Sequence, residues 1–243
     1  MRVLWTRLEL IEVLKLYCEL PFGKIHSRNP LILELAGKIN RTPSAVALKM
    51  SNFASLDPTL NQKGMANASS LDKVVWEEFF ADMERFLSPM TAEPEPSGFE
   101  ESPLVNFEWD LIVETERTSI VVSRLSQGFF RRMILASYRS TCAITGINDE
   151  KLLIAGHIVP WSVRQDLRMN PHNGICLNAL HDKAFDSGLI TIGEKFEIIF
   201  SSIMKKETRF ALEQFGESKF NFPEKFAPDA AFLAYHRESV FRL

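Results

Sequence analysis

Residues 153–161 read LIAGHIVPW and residues 170–192 read NPHNGICLNALHDKAFDSGLITI. Leu152, Leu153 and Ile154 form a short apolar run that predicts a strand leading to His157, ahead of Pro160 and Trp161. Asn173-Gly174 follows sixteen residues after His157, and Leu180–Asp186 then reads as a short helix carrying His181, Asp182 and Asp186. Leu189–Ile192 and Phe196–Phe200 predict a hairpin around Gly193-Glu194. Upstream, Gln127–Arg139 reads as a helix that ends before Cys142 and the turn at Gly146.

Three of the five histidines (His157, His172 and His181) fall within 25 residues. One histidine alone usually satisfies a structural need. An ordered His…Asn…His-Asp set framed by a strand, a turn and a helix asks for a chemical reason. A-G-H-I-V-P-W, N-G-I-C-L and H-D-K-A-F-D-S-G-L-I together resemble the HNH nuclease family, in register over about residues 125–200. The resemblance implies a ββα-metal fold and metal-assisted phosphodiester hydrolysis. The helical segment 1–90 resembles the amino-terminal part of bacterial HNH proteins, and Pro228–Phe241, with Tyr235-His236-Arg237, fits the same group.

The residue types suit those implied roles. A neutral imidazole at His157 can take a proton from water near its working pH. Asn173 would orient His157 through the intervening loop or coordinate metal, and Gly174 allows a tight backbone turn. Residue type favours His181 as the metal ligand, whereas its offset from Asn173 favours Asp182, so both stand as candidates. The pattern also departs from the family. Gly156 occupies the position where many members place a ligand side chain, and Cys142-Ala-Ile-Thr145 keeps one thiol of a zinc knuckle. The cofactor expected is therefore Mg²⁺ or Mn²⁺, with no structural zinc. Arg164 and Arg168, between His157 and Asn173, are candidate phosphate clamps, with solvated arginines as the alternative.

Further out, Ser88–Pro103 carries four prolines and four glutamates, a composition that predicts an extended linker. The expected organisation is α+β: an all-helical domain at 1–87, an acidic linker at 88–118 and the nuclease domain at 119–243. In the first domain, Thr6, Asn29-Pro30 and Thr42-Pro43 mark helix starts, and Leu71–Phe86 reads as a fourth helix. The short turn Asn40-Arg41-Thr42 gives a helix-turn-helix-like pair. Arg41, Lys49 and Asn52 are the candidate DNA contacts there; a small bundle packed on itself is the alternative.

The 243 residues are 46% hydrophobic and 24% charged, enough apolar material for a substantial core. No apolar run is long enough to span a bilayer, the first residues lack a secretory pattern, and three cysteines form no disulfide framework. These point to a cytoplasmic protein. The net charge of −3 hides eight acids against one base in residues 91–118, and five arginines without an acid from Arg117 to Arg139. Such basic clusters permit a double-stranded DNA partner. One site cuts one strand per engagement, so a double-strand break needs a dimer or two successive cuts, and a homodimer on DNA is expected. The carboxy-terminal phenylalanines (Phe220, Phe222, Phe226, Phe232 and Phe241) would supply part of that interface or cover the hairpin.

Overall fold

Each capping residue read in the amino-terminal sequence starts a helix. Thr6 and Glu9 form a reciprocal capping box at the head of α1 (Arg7–Glu19). Asn29 caps α2 (Pro30–Lys38) and Thr42 caps α3 (Pro43–Ala54), each with proline in the first turn. A second capping box at Ser69 and Asp72 opens α4 (Ser70–Ala81). The computed structural model describes residues 4–60, 67–87, 109–214 and 220–243. Expectation and structure part at Asp82, where a non-helical backbone (φ −151°, ψ 73°) ends α4. Its carboxylate then accepts the Arg85 amide, so the expected single helix is two, the second being α5 (Met83–Leu87).

The expected linker segment Ser88–Pro103 lies outside the described residues. Residues 109–118, placed in the linker by composition, instead begin the 29-residue helix α6 (Trp109–Ser137). Its later turns bury Phe129, Phe130, Met133 and Ile134. Antiparallel strands β1 (Leu153–His157) and β2 (Gly174–Asn178) pack near it, in register from Leu153 opposite Asn178 to His157 opposite Gly174. A Cβ at Gly174 would collide with Ile134 and touch Phe130, so glycine lets the hairpin close onto α6. Helix α7 (Ala179–Asp186) follows β2 directly, capped by the Asn178 side chain. The expected second hairpin is present as β3 (Ile190–Ile192) and β4 (Ile198–Phe200). Helices α8 (Lys206–Gln214) and α9 (Ala230–Tyr235) complete the order, giving an α+β fold.

The carboxy-terminal segment ties the helical part to the strands. Lys225 is fully buried, and its ammonium donates to the carbonyls of Tyr17, Cys18 (3.2 Å) and Leu20 (2.8 Å) at the end of α1. Those carbonyls otherwise lack partners at a helix terminus. Burial pushes the Lys225 pKa down to about 8. Phe226 packs among Tyr17, Trp76, Phe80 and His172, and its amide donates to Asp57 (3.2 Å). One apolar cluster therefore includes residues from α1 through α9. Among the described residues, no helix is long and apolar enough to cross a membrane.

Candidate active site

His157 ends β1 half-buried, its ring stacked on Phe130 of α6 at 4.2 Å between centroids and an interplanar angle of 7°. The Trp161 ring stands edge-on to it at 5.2 Å. Nε2 of His157 lies 2.9 Å from the Arg168 carbonyl oxygen. A carbonyl only accepts, so Nε2 carries the proton and Nδ1 of the neutral ring keeps its lone pair. Burial holds the imidazole pKa below its ordinary value, which keeps the ring neutral.

Asn173 fixes the loop that follows His157. Its Oδ1 accepts the Val159 amide at 2.7 Å, and its Nδ2 donates to the carbonyls of Val159 and Leu167, each at 3.2 Å. Only 1% of its surface is exposed. Of the two roles open to it in the sequence, this geometry matches the loop-orienting one. The Leu167 and Arg168 backbone held in this way carries the acceptor for His157.

Helix α7 separates the two candidate ligands. Asn178 Oδ1 accepts the amides of Leu180 and His181 and, at 3.2 Å, Nδ1–H of His181. His181 is 1% exposed, and its Nε2 is buried without a hydrogen-bond partner among the described residues. Asp182 instead turns a carboxylate oxygen onto the Cα of Gly156, into the volume a Cβ there would occupy. It is half-buried and makes no hydrogen bond or ion pair among the described residues. Burial, with the nearby charge of Asp186, pushes its pKa up to about 6. A bare carboxylate one residue from the imidazole fits a hard cation, which takes oxygen ligands and retains waters and substrate phosphate. No group of three or more His, Cys, Asp or Glu converges among the described residues, so the chain would supply few of the ligands.

The candidate phosphate and DNA contacts fare differently. Arg164 pairs with Asp166 on the exposed loop, and Arg168 lies over the Trp161 ring at 4.7 Å while its Nε donates to the Trp161 carbonyl. Lys49 and Asn52, expected to face outward from α3, are buried. Lys49 donates to both oxygens of Asp72 (2.9 and 3.0 Å), because α4 and Trp5 cover that face. Arg41 is likewise taken up by Glu9, the Leu4 carbonyl and the Trp5 ring. These two cations brace the bundle from within.

The roles of two further residues escaped the sequence reading. Phe130 supplies the surface on which His157 stacks, and no local pattern joins residues on different elements. His236 stacks on Phe185 at 3.7 Å and lies 2.8 Å from Thr191 Oγ1 and 3.1 Å from the Phe185 carbonyl, bracing α7. Cys142 occupies the knuckle position, where its sulfur accepts the amides of Asn178 (3.2 Å) and Thr145 (3.4 Å).

The β1–β2 hairpin thus carries a neutral imidazole at one strand end and leads into a helix that presents a carboxylate. Residues 142–193 match the family model HNH_2, described as HNH endonuclease. The chain thus carries an HNH endonuclease domain and is a nuclease acting on nucleic acid. No curated protein matches it.

Proposed function

We propose that the chain is a metal-dependent DNA endonuclease, with His157 as general base and Asp182 as the carboxylate that holds Mg²⁺ or Mn²⁺. The observation that carries this reading is the commitment of His157 Nε2 to the Arg168 carbonyl, which leaves Nδ1 to take a proton. Low pKa keeps that nitrogen available at neutral pH. A divalent cation, when bound, supplies electrostatic stabilisation of the charged phosphorane and of the departing 3′ oxygen. Asp182 binds it from α7, where Gly156 leaves room for the carboxylate. Asn173 and Asn178 act through others, the first holding the loop that orients His157 and the second capping α7. His181 lies buried beneath the site, and its part is to seat α7.

Phosphate contact is assigned to the exposed Arg164, which can exchange Asp166 for a phosphate oxygen, and to the edge of Arg168. A two-fold dimer on duplex DNA would place one such site on each strand, and sedimentation with and without duplex tests it. Restriction of foreign or modified DNA is the role the family resemblance favours; phage plating on cells carrying the gene tests that.

The activity itself is tested by incubating purified protein with supercoiled plasmid and with RNA, in Mg²⁺, Mn²⁺ or EDTA. Nicked or linear plasmid in either metal, none in EDTA, and no stoichiometric zinc on elemental analysis support the proposal. Metal-independent cleavage would overturn the assignment of Asp182. Cleavage of RNA alone would overturn the choice of DNA.

A further inference from the structure

Next to His157 lies a cavity of about 300 Å³ lined by Gln127, Phe130, Arg131, Ile154, His157 and Trp161. It adjoins the proton-transfer group, since His157 forms one wall, and Asp182 does not line it. Its walls are chiefly aromatic and aliphatic. Arg168 covers Trp161 but does not line the cavity. Gln127 is exposed at the rim, where its amide can both donate and accept. Arg131 is anchored by hydrogen bonds to the carbonyls of Leu153 (2.7 Å) and Glu150 (2.9 Å), so its positive charge is fixed beside the opening.

We infer that this cavity is a nucleobase subsite, which takes one unstacked base of the strand whose phosphate lies at His157. The inference rests on the nuclease reading above. A volume at the small end of ligand cavities suits a single heterocycle rather than a longer segment. Aromatic walls favour any base, because every base presents a π-face. A fixed guanidinium complements the phosphate that accompanies the base. Duplex substrates would have to surrender the stacking of one base to enter, which favours mismatched, nicked or single-stranded sites next to the cut.

The test uses full-length protein in EDTA, so that binding is read without cleavage. Two single strands of equal length are compared, oligothymidylate and a strand of abasic residues, which share phosphates and differ only in bases. The wild-type chain should bind oligothymidylate about 5- to 150-fold more tightly, the range given by one stacked base. That ratio should be insensitive to salt, whereas both affinities fall as salt rises. Trp161→Ala should bring the ratio close to one, and Trp161→Phe should keep most of it. Gln127→Ala, on α6 at the rim, should lower the ratio in the same direction. Equal wild-type binding of the two strands would overturn the subsite, as would an unchanged ratio in a folded Trp161→Ala protein. A protein that cleaves plasmid in metal but does not distinguish the strands loses the subsite and keeps the nuclease reading. One that neither binds nor cleaves nucleic acid loses both.

Discussion

The carboxylate of Asp182 occupies the space that a side chain at Gly156 would fill, so a side chain there would have to displace it. The family pattern commonly puts a ligand side chain just before the general-base histidine. Here the space at Gly156 and the carboxylate on α7 are complementary, and a carboxylate oxygen reaches the strand from the helix instead. Under the proposed function, this exchange is what lets a site with glycine at that position engage a cation.

Gly156→Ala should therefore displace Asp182 and lower metal-supported cleavage. Asp182→Asn, which keeps the shape and loses the charge, should lower it further. Metal titrations of cleavage should show both variants needing more Mg²⁺ than wild type. Full activity of Asp182→Asn at wild-type metal concentrations would remove Asp182 from the metal site.

Asn173→Ala would leave the buried Val159 amide without its acceptor, and the Val159 and Leu167 carbonyls without a donor. Each buried polar group left unpaired costs about 1–3 kcal/mol. Urea unfolding should show a loss of that order. Cleavage should fall as well, because the loop no longer holds the Arg168 carbonyl against His157.

Much of the fold was legible because its signals are local. Thr6, Asn29, Thr42 and the following residues carry their capping chemistry in the sequence, and each starts a helix where that chemistry predicts. The motif order around His157 and Asn173 likewise gave the first hairpin and α7. What failed was long-range. Lys49 looks like a surface cation until Asp72, 23 residues on, is folded against it. Lys225 looks like a loop residue until the end of α1 is placed around its ammonium. The acidic linker drawn by composition as far as residue 118 also overlaps α6, which begins at Trp109. Side by side in sequence, His181 and Asp182 are not separable; their positions on α7 bury one and point the other at Gly156.

The Glu9–Arg41 pair should make the helical part acid-sensitive. The hydrogen bond from Arg41 is the main cause that holds the Glu9 pKa down at about 2, against 4.5 for the free group. A lowered folded-state pKa means that the unfolded chain binds the proton first as pH drops. The stabilisation is therefore complete above pH 4.5 and is lost as pH falls from 4.5 towards 2. Glu9→Gln should lower the melting temperature at pH 7 and flatten its decline across that window. Parallel acid profiles for the variant and wild type would contradict the pairing.

Lys225→Met keeps the length and apolar stem of the side chain but removes the donor to three α1 carbonyls. The unpaired carbonyls should cost about 1–3 kcal/mol in chemical denaturation, partly offset because no charge is then buried. A variant as stable as wild type would show that the ammonium contributes nothing to seating the carboxy-terminal segment on α1.

The central claim is that His157 Nδ1 takes the proton from the attacking water, and its most direct test is single-turnover cleavage by His157→Ala beside wild type. Nicking of supercoiled plasmid should be followed at saturating protein and Mg²⁺, with DNA affinity measured in parallel. General bases contribute about 10²–10⁴-fold, so the variant should cleave more slowly by that factor while its DNA affinity stays near the wild-type value. Cleavage at the wild-type rate by a folded His157→Ala protein would contradict the account.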